Sequence, residues 1–322
     1  MSLCRAVAQT SNGAMHEVDP ATIDKLLTER GSLLWLDIQD PTPDDVDLLR
    51  REFGFHELAL EDTLRRGQRP KADEYEGYYF IVMYAVGGLT GTDVDMREVH
   101  CFWGNNYFVS VHEGPVPEIN TAIQRWKDGT ERFHHGVAYQ VYALFDAVVD
   151  SYFPLVDTLS DYIEDLEQQV FEDKSPETLR AIFDLRRTLI TMRRAVGPTR
   201  DVLSELIRRD VPVFPRGLIP YLADVYDHTI RVIDALDLQR ELLSSAMESY
   251  LSITSNRLNQ TMRTLTALTI GLMVPTLIAG IYGMNFDQIP ELHWGEGYPY
   301  ALGLMGISMI VLYFVFRRIG WL

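Results

Sequence analysis

Lysine is scarce in this chain whereas negative charge is abundant: four lysines stand among 29 basic residues, against 46 acidic ones. None of Lys25, Lys71, Lys127 and Lys174 follows a glycine-rich loop that could hold a phosphate, which argues against ATP-driven transport by this chain alone. The motifs His-Glu-x-x-His and Gly-x-Ser-x-Gly are also absent, so the sequence carries no such enzyme signature. A net charge of −17 argues against a nucleic-acid partner and suits a protein that meets cations, although acidity for solubility explains it equally well.

Cysteine is rare as well. Cys4 and Cys101 are too few and too far apart for a disulfide framework or a metal–thiolate site, which is consistent with a reducing cytosol. Residues 1–10 contain no apolar run, so the sequence predicts no cleaved signal peptide. A first membrane span would then serve as the insertion signal.

Residues 1–130 predict a mixed α/β domain in the cytoplasm. Aromatic and β-branched runs separated by glycine and asparagine are typical of strands joined by turns, and Asn105-Asn106 is typical of a hairpin turn. Asp19-Pro20 and Thr42-Pro43 are typical helix starts. The predicted strands are 32–38, 78–86, 98–103 and 107–112, and the predicted helices are 20–31, 43–54, 57–65 and 117–128.

Residues 131–215 predict a cytoplasmic region of long helices. One helix spans 136–172, and after a turn at 173–176 a second helix, capped by Ser175, runs to Val196. Gly197-Pro198 predicts a break, after which a shorter helix ends near Asp210. Pro212 and Pro215 then form a linker.

The stretch from Pro220 to Asn285 contains no obvious helix stop before Tyr282-Gly283. Its first part, in the stalk region 216–263, is amphipathic, as in a bundle helix in water, whereas the eighteen residues 265–282 carry no charge and match the thickness of a bilayer. We therefore predict a first span at 264–285, a loop at 286–297, a second span at 298–316 and a tail at 317–322. The alternative, two buried helices of a soluble core, is disfavoured because apolar runs this long and this close together are hard to bury.

Flanking charge predicts the orientation of the two spans. The basic residues nearest to them lie before the first span and after the second: Arg257, Arg263, Arg317 and Arg318. The connecting loop contains Asp287 and two glutamates but no lysine or arginine. By the positive-inside rule, both termini are cytoplasmic and the loop is outside.

Two acidic features of the soluble part could bind cations. Asp224, Asp227 and His228 lie at i, i+3 and i+4, on one helix face that could ligate a metal, although a solvated face explains them equally well. A dense acidic run is either a wet helix face, the commoner case, or a cation-screening surface. Its members are Asp157, Asp161, Glu164, Asp165, Glu167, Glu172 and Asp173.

The first span carries a narrow stripe of small, flexible or hydroxyl-bearing side chains at three-and-four spacing. The stripe consists of Met262, Thr269, Met273, Thr276 and Gly280. Helix packing explains such a stripe as often as a pore does, so the way the stripe ends decides between them.

At that end, Gly283 can release the last helix carbonyls, which carry the negative end of the helix dipole, and Asn285 adds an amide oxygen beside them. Uncharged oxygens of this kind can bind the waters that Mg²⁺ keeps. Because two spans cannot enclose a hole, several copies must surround one axis if the stripe lines a pore.

These residues also resemble a known family. Tyr282-Gly283-Met284-Asn285-Phe286, followed by Pro290-Glu291-Leu292 and Gly297-Tyr298-Pro299, resembles the signature of the CorA family of magnesium and divalent-cation transporters. The likeness covers nearly the whole chain. It extends through Asp224–Thr229, Tyr250–Ser252, Ser255–Arg257, Asn259 and, in the N-terminal domain, Trp35–Asp37, His56, Glu61-Asp62 and Arg69-Pro70-Lys71.

The resemblance implies an α+β cytoplasmic domain and a two-helix transmembrane hairpin, assembled as a funnel-shaped homopentamer in the plasma membrane. By position, Gly283, Met284 and Asn285 would form the outer selectivity filter. The other implied pore-lining residues are Glu248, Asn259, Met262, Leu265, Thr269, Met273, Thr276 and Gly280.

The resemblance further implies a regulatory metal site. Asp224 and Asp227 would face an acidic residue of the neighbouring subunit, for which Asp93 and Asp95 are the candidates. Arg257, Arg263, Arg317 and Arg318 would form a basic ring at the inner membrane face.

The function expected on these grounds is potential-driven uptake of Mg²⁺, with Co²⁺ and Ni²⁺ as further cations, closed by Mg²⁺ that binds between cytoplasmic domains. Zinc transport of the related ZntB type is the first alternative. A membrane-anchored cation sensor without a pore is the second. An enzyme is a distant third, because the cluster at Asp224 lies beside no evident substrate pocket.

Overall fold

A computed structural model describes residues 2–10, 14–128, 136–172, 176–208, 215–285 and 289–321. The chain divides into two compact units, Met1–Ala246 and Met247–Leu322. The predictions for the cap at Ser175, the linker at Pro212, the acidic residue Asp173 and the loop residue Asp287 lie outside the described residues.

The first unit is built on a seven-stranded mixed sheet with the order β2-β1-β3-β7-β6-β5-β4. Only the β3–β7 pair among the described strands is parallel, with Leu36 opposite Val109. The strands are β1 Leu3–Gln9, β2 Met15–Val18, β3 Leu33–Gln39, β4 Lys71–Tyr75, β5 Tyr78–Thr90, β6 Asp93–Trp103 and β7 Tyr107–His112. The sequence predicted β3, β5, β6 and β7 but missed β1, β2 and β4.

The predicted hairpin at Asn105-Asn106 is confirmed, because β6 and β7 pair antiparallel on either side of it.

Helices cover the sheet. The helices are α1 Ile23–Thr28, α2 Pro43–Phe53, α3 Glu57–Leu64, α4 Pro117–Lys127, α5 Val137–Glu172, α6 Pro176–Arg208 and α7 Ile219–Tyr282. The first predicted helix is shorter than expected, since residues 20–22 form a 3₁₀ turn before α1.

Aromatic packing fills the core on both faces of the sheet. On one face Phe55 stacks on Phe102 with ring centroids 4.0 Å apart, within a cluster that includes residues of α1, α2 and α3. On the other face the fully buried Trp35 contacts Trp126 of α4. Burial of these large rings stabilises the unit, because the hydrophobic contribution scales with the apolar area removed from water.

The break predicted at Gly197-Pro198 is wrong, because α6 runs uninterrupted from Pro176 to Arg208. Pro198 lacks an N–H and so cannot donate to the carbonyl of Arg194. The helix continues because its apolar face is buried along its whole length, including Val196 and Leu203. Packing therefore outweighs the local preference of glycine and proline for a helix end.

The second unit contains the remainder of α7, a 3₁₀ turn at Pro290–His293 and α8, Gly297–Arg318. Among the described residues, α7 and α8 are the two helices long and apolar enough to cross a membrane, by length and composition. Gly297 must be a glycine, since a Cβ there would collide with the carbonyl of Glu291.

Candidate functional site

The stripe lies on one exposed face of α7. At about 100° per residue, its five members fall within about 60° of one another around the helix. Met262 and Met273 are more than half exposed, at 54% and 58%. A groove of about 620 Å³ runs along this face and ends at Met284.

The opposite face of the same helix segment is partly covered. Its residues are Thr264, Ala267, Gly271, Val274, Ile278 and Tyr282, all half-buried or buried. Thr264 donates its hydroxyl to the carbonyl of Trp321, which follows α8. Within this unit the hairpin therefore covers one side of α7 and leaves the stripe on the other side.

The threonines on the exposed face donate their hydroxyl protons to their own helix. Thr269 Oγ1 donates to the carbonyl of Leu265 at 2.9 Å, and Thr276 Oγ1 to that of Leu272 at 2.7 Å. With the proton committed to the backbone, the oxygen presents its remaining lone pairs outward. The face thus offers acceptors, which suit water molecules that surround a cation and point their hydrogens away from it.

The helix ends where the stripe ends. The Gly283 N–H donates to the carbonyl of Ala279 at 2.9 Å, and the Met284 N–H donates to that of Ile281 at 3.3 Å. Within the described part of the chain, no amide donates to the carbonyls of Gly280 and Tyr282, so these oxygens are available at the tip.

Gly283 allows a close approach between the end of α7 and its own last turn. Its φ is not positive, so it is not a left-handed cap. A Cβ at this position would lie 3.0 Å from the carbonyl oxygen of Ala279, which is fixed in the last turn of α7. A side chain would therefore disturb the carbonyls at the end of the stripe.

The other residues predicted to line the pore or to form the basic ring are exposed, and their roles stay predictions. They are Glu248, Asn259, Leu265, Asn285, Arg257, Arg263, Arg317 and Arg318. By the helical repeat, Glu248 lies about 40° from Met262, on the side of the stripe.

Two further residues of this segment, Thr266 and Pro275, were not among the predicted site residues. Thr266 is as close to the centre of the stripe as Leu265, and its hydroxyl donates to the carbonyl of Met262 at 2.8 Å. Its four-residue spacing from Met262 was the available signal. Pro275 lies inside α7 and leaves the carbonyl of Gly271 without its helical donor, on the face away from the stripe.

The predicted metal face at Asp224 does not form a metal site within one chain. In the part of the chain that the structure describes, no group of three or more His, Cys, Asp or Glu residues could hold a metal ion. His228 Nε2 lies 3.8 Å from Asp224 Oδ2, and its Nδ1 lies 3.7 Å from Asp150 Oδ1. The Asp224 side chain is 65% exposed, so it remains available to a ligand from outside the chain.

The neighbouring carboxylates on α5 share one arginine. Arg125 pairs with Asp146 and with Asp150, the latter at 3.2 Å. Burial raises the pKa of Asp146, and the nearby Asp150 raises it further, while Arg125 opposes both effects. Asp224, at 65%, is thus more exposed than Asp150 at 42% or Asp146 at 16%.

Asp93 lies on a different element. It begins β6, next to Thr92, whose carbonyl accepts a hydrogen bond from Thr188 of α6. Asp95 pairs with Arg97 at 2.8 Å, so Asp93 has the less engaged carboxylate. The role of either residue stays a prediction.

The sequence matches a known protein family over most of its length. A family model described as CorA-like Mg²⁺ transporter protein matches residues 30–318. The chain belongs to this family. The CorA family is one of membrane transporters rather than enzymes, and the two candidate transmembrane helices agree with a multi-pass membrane protein.

Characterised relatives and solved structures agree with the family assignment. The chain is 35% identical over 277 residues to the cobalt/magnesium transport protein CorA of Thermotoga maritima, covering 84% of this chain and 78% of that protein. It is 28% identical over 302 residues to CorA of Methanocaldococcus jannaschii, covering 93% and 95%. The solved structure of the CorA magnesium transporter from M. jannaschii matches with a TM-score of 0.86 at 26% identity, covering 98% of each chain.

A likeness to the zinc branch is more distant. The ZntB cytoplasmic domain of Vibrio parahaemolyticus matches with a TM-score of 0.63 at 10% identity, covering 78% of this chain and 98% of that one. At this identity the match shows a shared fold alone.

Proposed function

We propose that this chain is a magnesium channel of the CorA type, in which several copies surround one axis and each contributes the stripe of α7 to a pore. The observation that carries the proposal is the two-sided character of α7. Its hairpin partner covers one face, and the opposite face presents threonine oxygens, methionines and glycine. This face leads to a helix end where the carbonyls of Gly280 and Tyr282 accept no hydrogen bond from an amide of the described residues. A helix that served only as an anchor would need no such face.

The chemistry of the proposed filter suits a hydrated cation. Mg²⁺ loses its water reluctantly, so a filter that binds the waters is easier to enter than one that strips them. The carbonyls of Gly280 and Tyr282 at the tip of α7 and the amide oxygen of Asn285 are uncharged acceptors of that kind. Because they carry no full charge, they attract the ion without trapping it.

The direction of transport follows from the membrane potential. With both termini in the cytoplasm and the tip of α7 outside, as flanking charge predicts, a divalent cation gains roughly 4–5 kcal/mol per 100 mV on entry through the plasma membrane. No chemical energy source is then needed. Co²⁺ and Ni²⁺ share the charge and are the further cations of the proposal.

Regulation is assigned to Asp224. Mg²⁺ binds proteins through one or two carboxylates and keeps its waters, and the exposed Asp224 supplies one such ligand. A second carboxylate from an adjacent copy, with Asp93 as the candidate, would complete the site. When internal Mg²⁺ falls, the unscreened carboxylates repel each other and the closed assembly loosens.

The test is Mg²⁺ flux into proteoliposomes. Asn285→Ala removes the amide oxygen and should abolish flux while the oligomer mass stays unchanged. Ser308→Ala is the matched control, because this hydroxyl lies on α8 and donates to its own helix at Met305. Unchanged flux in the Asn285 variant would refute the filter.

The same assay separates the alternatives. Excess Zn²⁺ that competes with Mg²⁺ flux, together with Zn²⁺ entry, would favour zinc transport. Neither span contains a histidine or cysteine that would select zinc. A well-folded oligomer that passes no ion would favour the sensor without a pore.

A further inference from the structure

A basic pocket lies in the first unit. It has a volume of about 600 Å³ and lies between α6 and the segment Gly67–Pro70, which precedes β4. Four arginines line it, namely Arg69, Arg193, Arg194 and Arg200. Among the described lining residues the one acid is Asp201, so the lining carries four positive charges and one negative in a chain whose net charge is −17.

The arginines are only partly neutralised by the protein. Arg200 pairs with Asp201 at 2.7 Å, and Arg193 pairs with Asp237 of α7 at 3.3 Å. Arg69 lies 4.0 Å from the same Asp201 and is 75% exposed. For Arg194, no acidic partner lies within the described ranges of the chain. One carboxylate thus serves two guanidinium groups and a third has none, which leaves donors for an anion.

The wall of the pocket opposite α6 is firmly held. Glu98 accepts hydrogen bonds from the backbone N–H groups of Gly67 and Gln68, and Tyr84 donates its hydroxyl to the Gln68 carbonyl at 2.7 Å. Gly67 has a φ of 86°, a left-handed conformation that favours glycine. These contacts fix the segment from which Arg69 extends.

The pocket also has apolar surface beside its charges. Pro70, Tyr84, Met96 and Pro198 contribute to the lining, and the half-buried ring of Tyr84 is held by its own hydrogen bond. A ring and two prolines next to arginines suit a ligand with a flat organic part and an anionic part. The volume is within the range of small-molecule sites, about 300–1,000 Å³.

We propose that this pocket binds a nucleoside polyphosphate, with the phosphates on the arginines and the nucleoside against Pro70, Tyr84 and Pro198. Arginine suits this role because its planar guanidinium donates two parallel hydrogen bonds to one phosphate. Nucleoside polyphosphates bind divalent cations in the cell. Their binding to this pocket would therefore make the first unit respond to the amount of cation that is bound to phosphate.

The experiment measures ATP binding by calorimetry to the purified full-length oligomer, in the presence of a chelator that removes divalent cations. The test variant is Arg69→Gln with Arg194→Gln, since within the described residues Arg69 has only the 4.0 Å contact with Asp201 and Arg194 has no ion pair. The control is Arg186→Gln with Arg187→Gln, which removes the same charge from exposed positions of α6 outside the pocket. We expect binding at least tenfold weaker in the test variant and unchanged in the control, on the scale of a lost charge-assisted hydrogen bond.

Two further probes decide which part of the ligand is recognised. Inorganic tripolyphosphate should bind more weakly than ATP, and adenosine should bind more weakly still. Equal binding of tripolyphosphate and ATP would overturn the nucleoside part of the proposal. No ATP binding, or equal loss in both variants, would overturn the pocket itself.

The oligomer mass of each variant distinguishes a ligand site from an interface between copies. If the Arg69/Arg194 variant dissociates by light scattering while the control does not, the arginines bind an acidic surface of another copy and the proposal fails. Because no step of this test uses ion flux, its result is independent of the proposed channel function.

Discussion

Glu98 shows how one half-buried carboxylate holds a segment of backbone in place. Its side chain is 16% exposed and accepts hydrogen bonds from His100 and from the N–H groups of Gly67 and Gln68. Burial pushes the pKa of Glu98 upward, but the hydrogen bonds from His100 and from these two amides outweigh it and hold the pKa below its ordinary value. The charged form is therefore the one that the fold prefers.

A lowered pKa makes a definite prediction for pH dependence. The contribution of Glu98 to stability is fully present above the ordinary value of 4.5 and is lost as the pH falls through the lower folded value. We expect Glu98→Gln to lower the unfolding free energy by about 1–3 kcal/mol at neutral pH, the scale of hydrogen bonds to a charged group. The difference from the parent should vanish in acid, measured by thermal unfolding followed by tryptophan fluorescence.

Glu76→Gln is the control for this pH profile, because Glu76 is exposed in the turn between β4 and β5. Its curve should follow the parent at every pH. A Glu98 variant that stays equally destabilised in acid would show that the lost contact is steric rather than ionic.

The elements differ in how well the sequence predicted them. The long helices α5, α7 and α8 and the strands β3, β5, β6 and β7 are confirmed, because their apolar residues repeat with a clear period over many positions. β2 has four residues, and the edge strand β4 carries Lys71, Asp73 and Glu74, so neither has a readable pattern. β1 depends on pairing with β3, a contact between distant parts of the chain.

The candidate site was also predictable only in part. The repeat along α7 predicts the stripe, because one helix determines which of its own residues share a face. It does not predict that α8 would leave that face open, since this depends on the packing of two helices. The pairing of Asp224 with Asp93 stays a prediction. The two residues would meet between adjacent copies, and the sequence pattern within one chain carries no information about such contacts.

A substitution at Gly197 should change the stability of α6. Glycine inside a helix costs about 0.5–1 kcal/mol relative to alanine, yet a Cβ here would lie 2.5 Å from Nη1 of Arg193. The guanidinium is the mobile end of a long side chain, so it can move. We expect Gly197→Ala to raise the unfolding free energy by up to about 1 kcal/mol, measured by thermal unfolding, while Arg193 shifts away from Asp237.

A double-mutant cycle checks whether Arg193 shifts away from Asp237 in the Gly197→Ala variant. Asp237→Asn removes the carboxylate that Arg193 contacts at 3.3 Å. Its effect should be smaller in the Gly197→Ala background than in the parent, because the ion pair is already disturbed. Equal effects in both backgrounds would show that Arg193 keeps its place.

At the scale of the whole molecule, the proposed Mg²⁺ binding should depend on net charge. Each copy carries a charge of −17, so an assembly of several copies brings many carboxylates together and gains stability when cations screen them. If Mg²⁺ binds the closed assembly specifically, it stabilises that state by mass action, by about 1.4 kcal/mol per site at ten times the dissociation constant. Removal of Mg²⁺ should therefore lower the thermal midpoint of the oligomer.

Asp224 tests whether that stabilisation comes from a defined site or from general screening. Asp224→Asn keeps the size of the side chain and removes one exposed carboxylate, so Mg²⁺ should raise the midpoint less and internal Mg²⁺ should inhibit flux less. Asp234→Asn removes the same charge from another exposed position of α7 and should respond like the parent. If both variants lose the Mg²⁺ response equally, the cation acts by screening the surface and Asp224 is not a regulatory ligand.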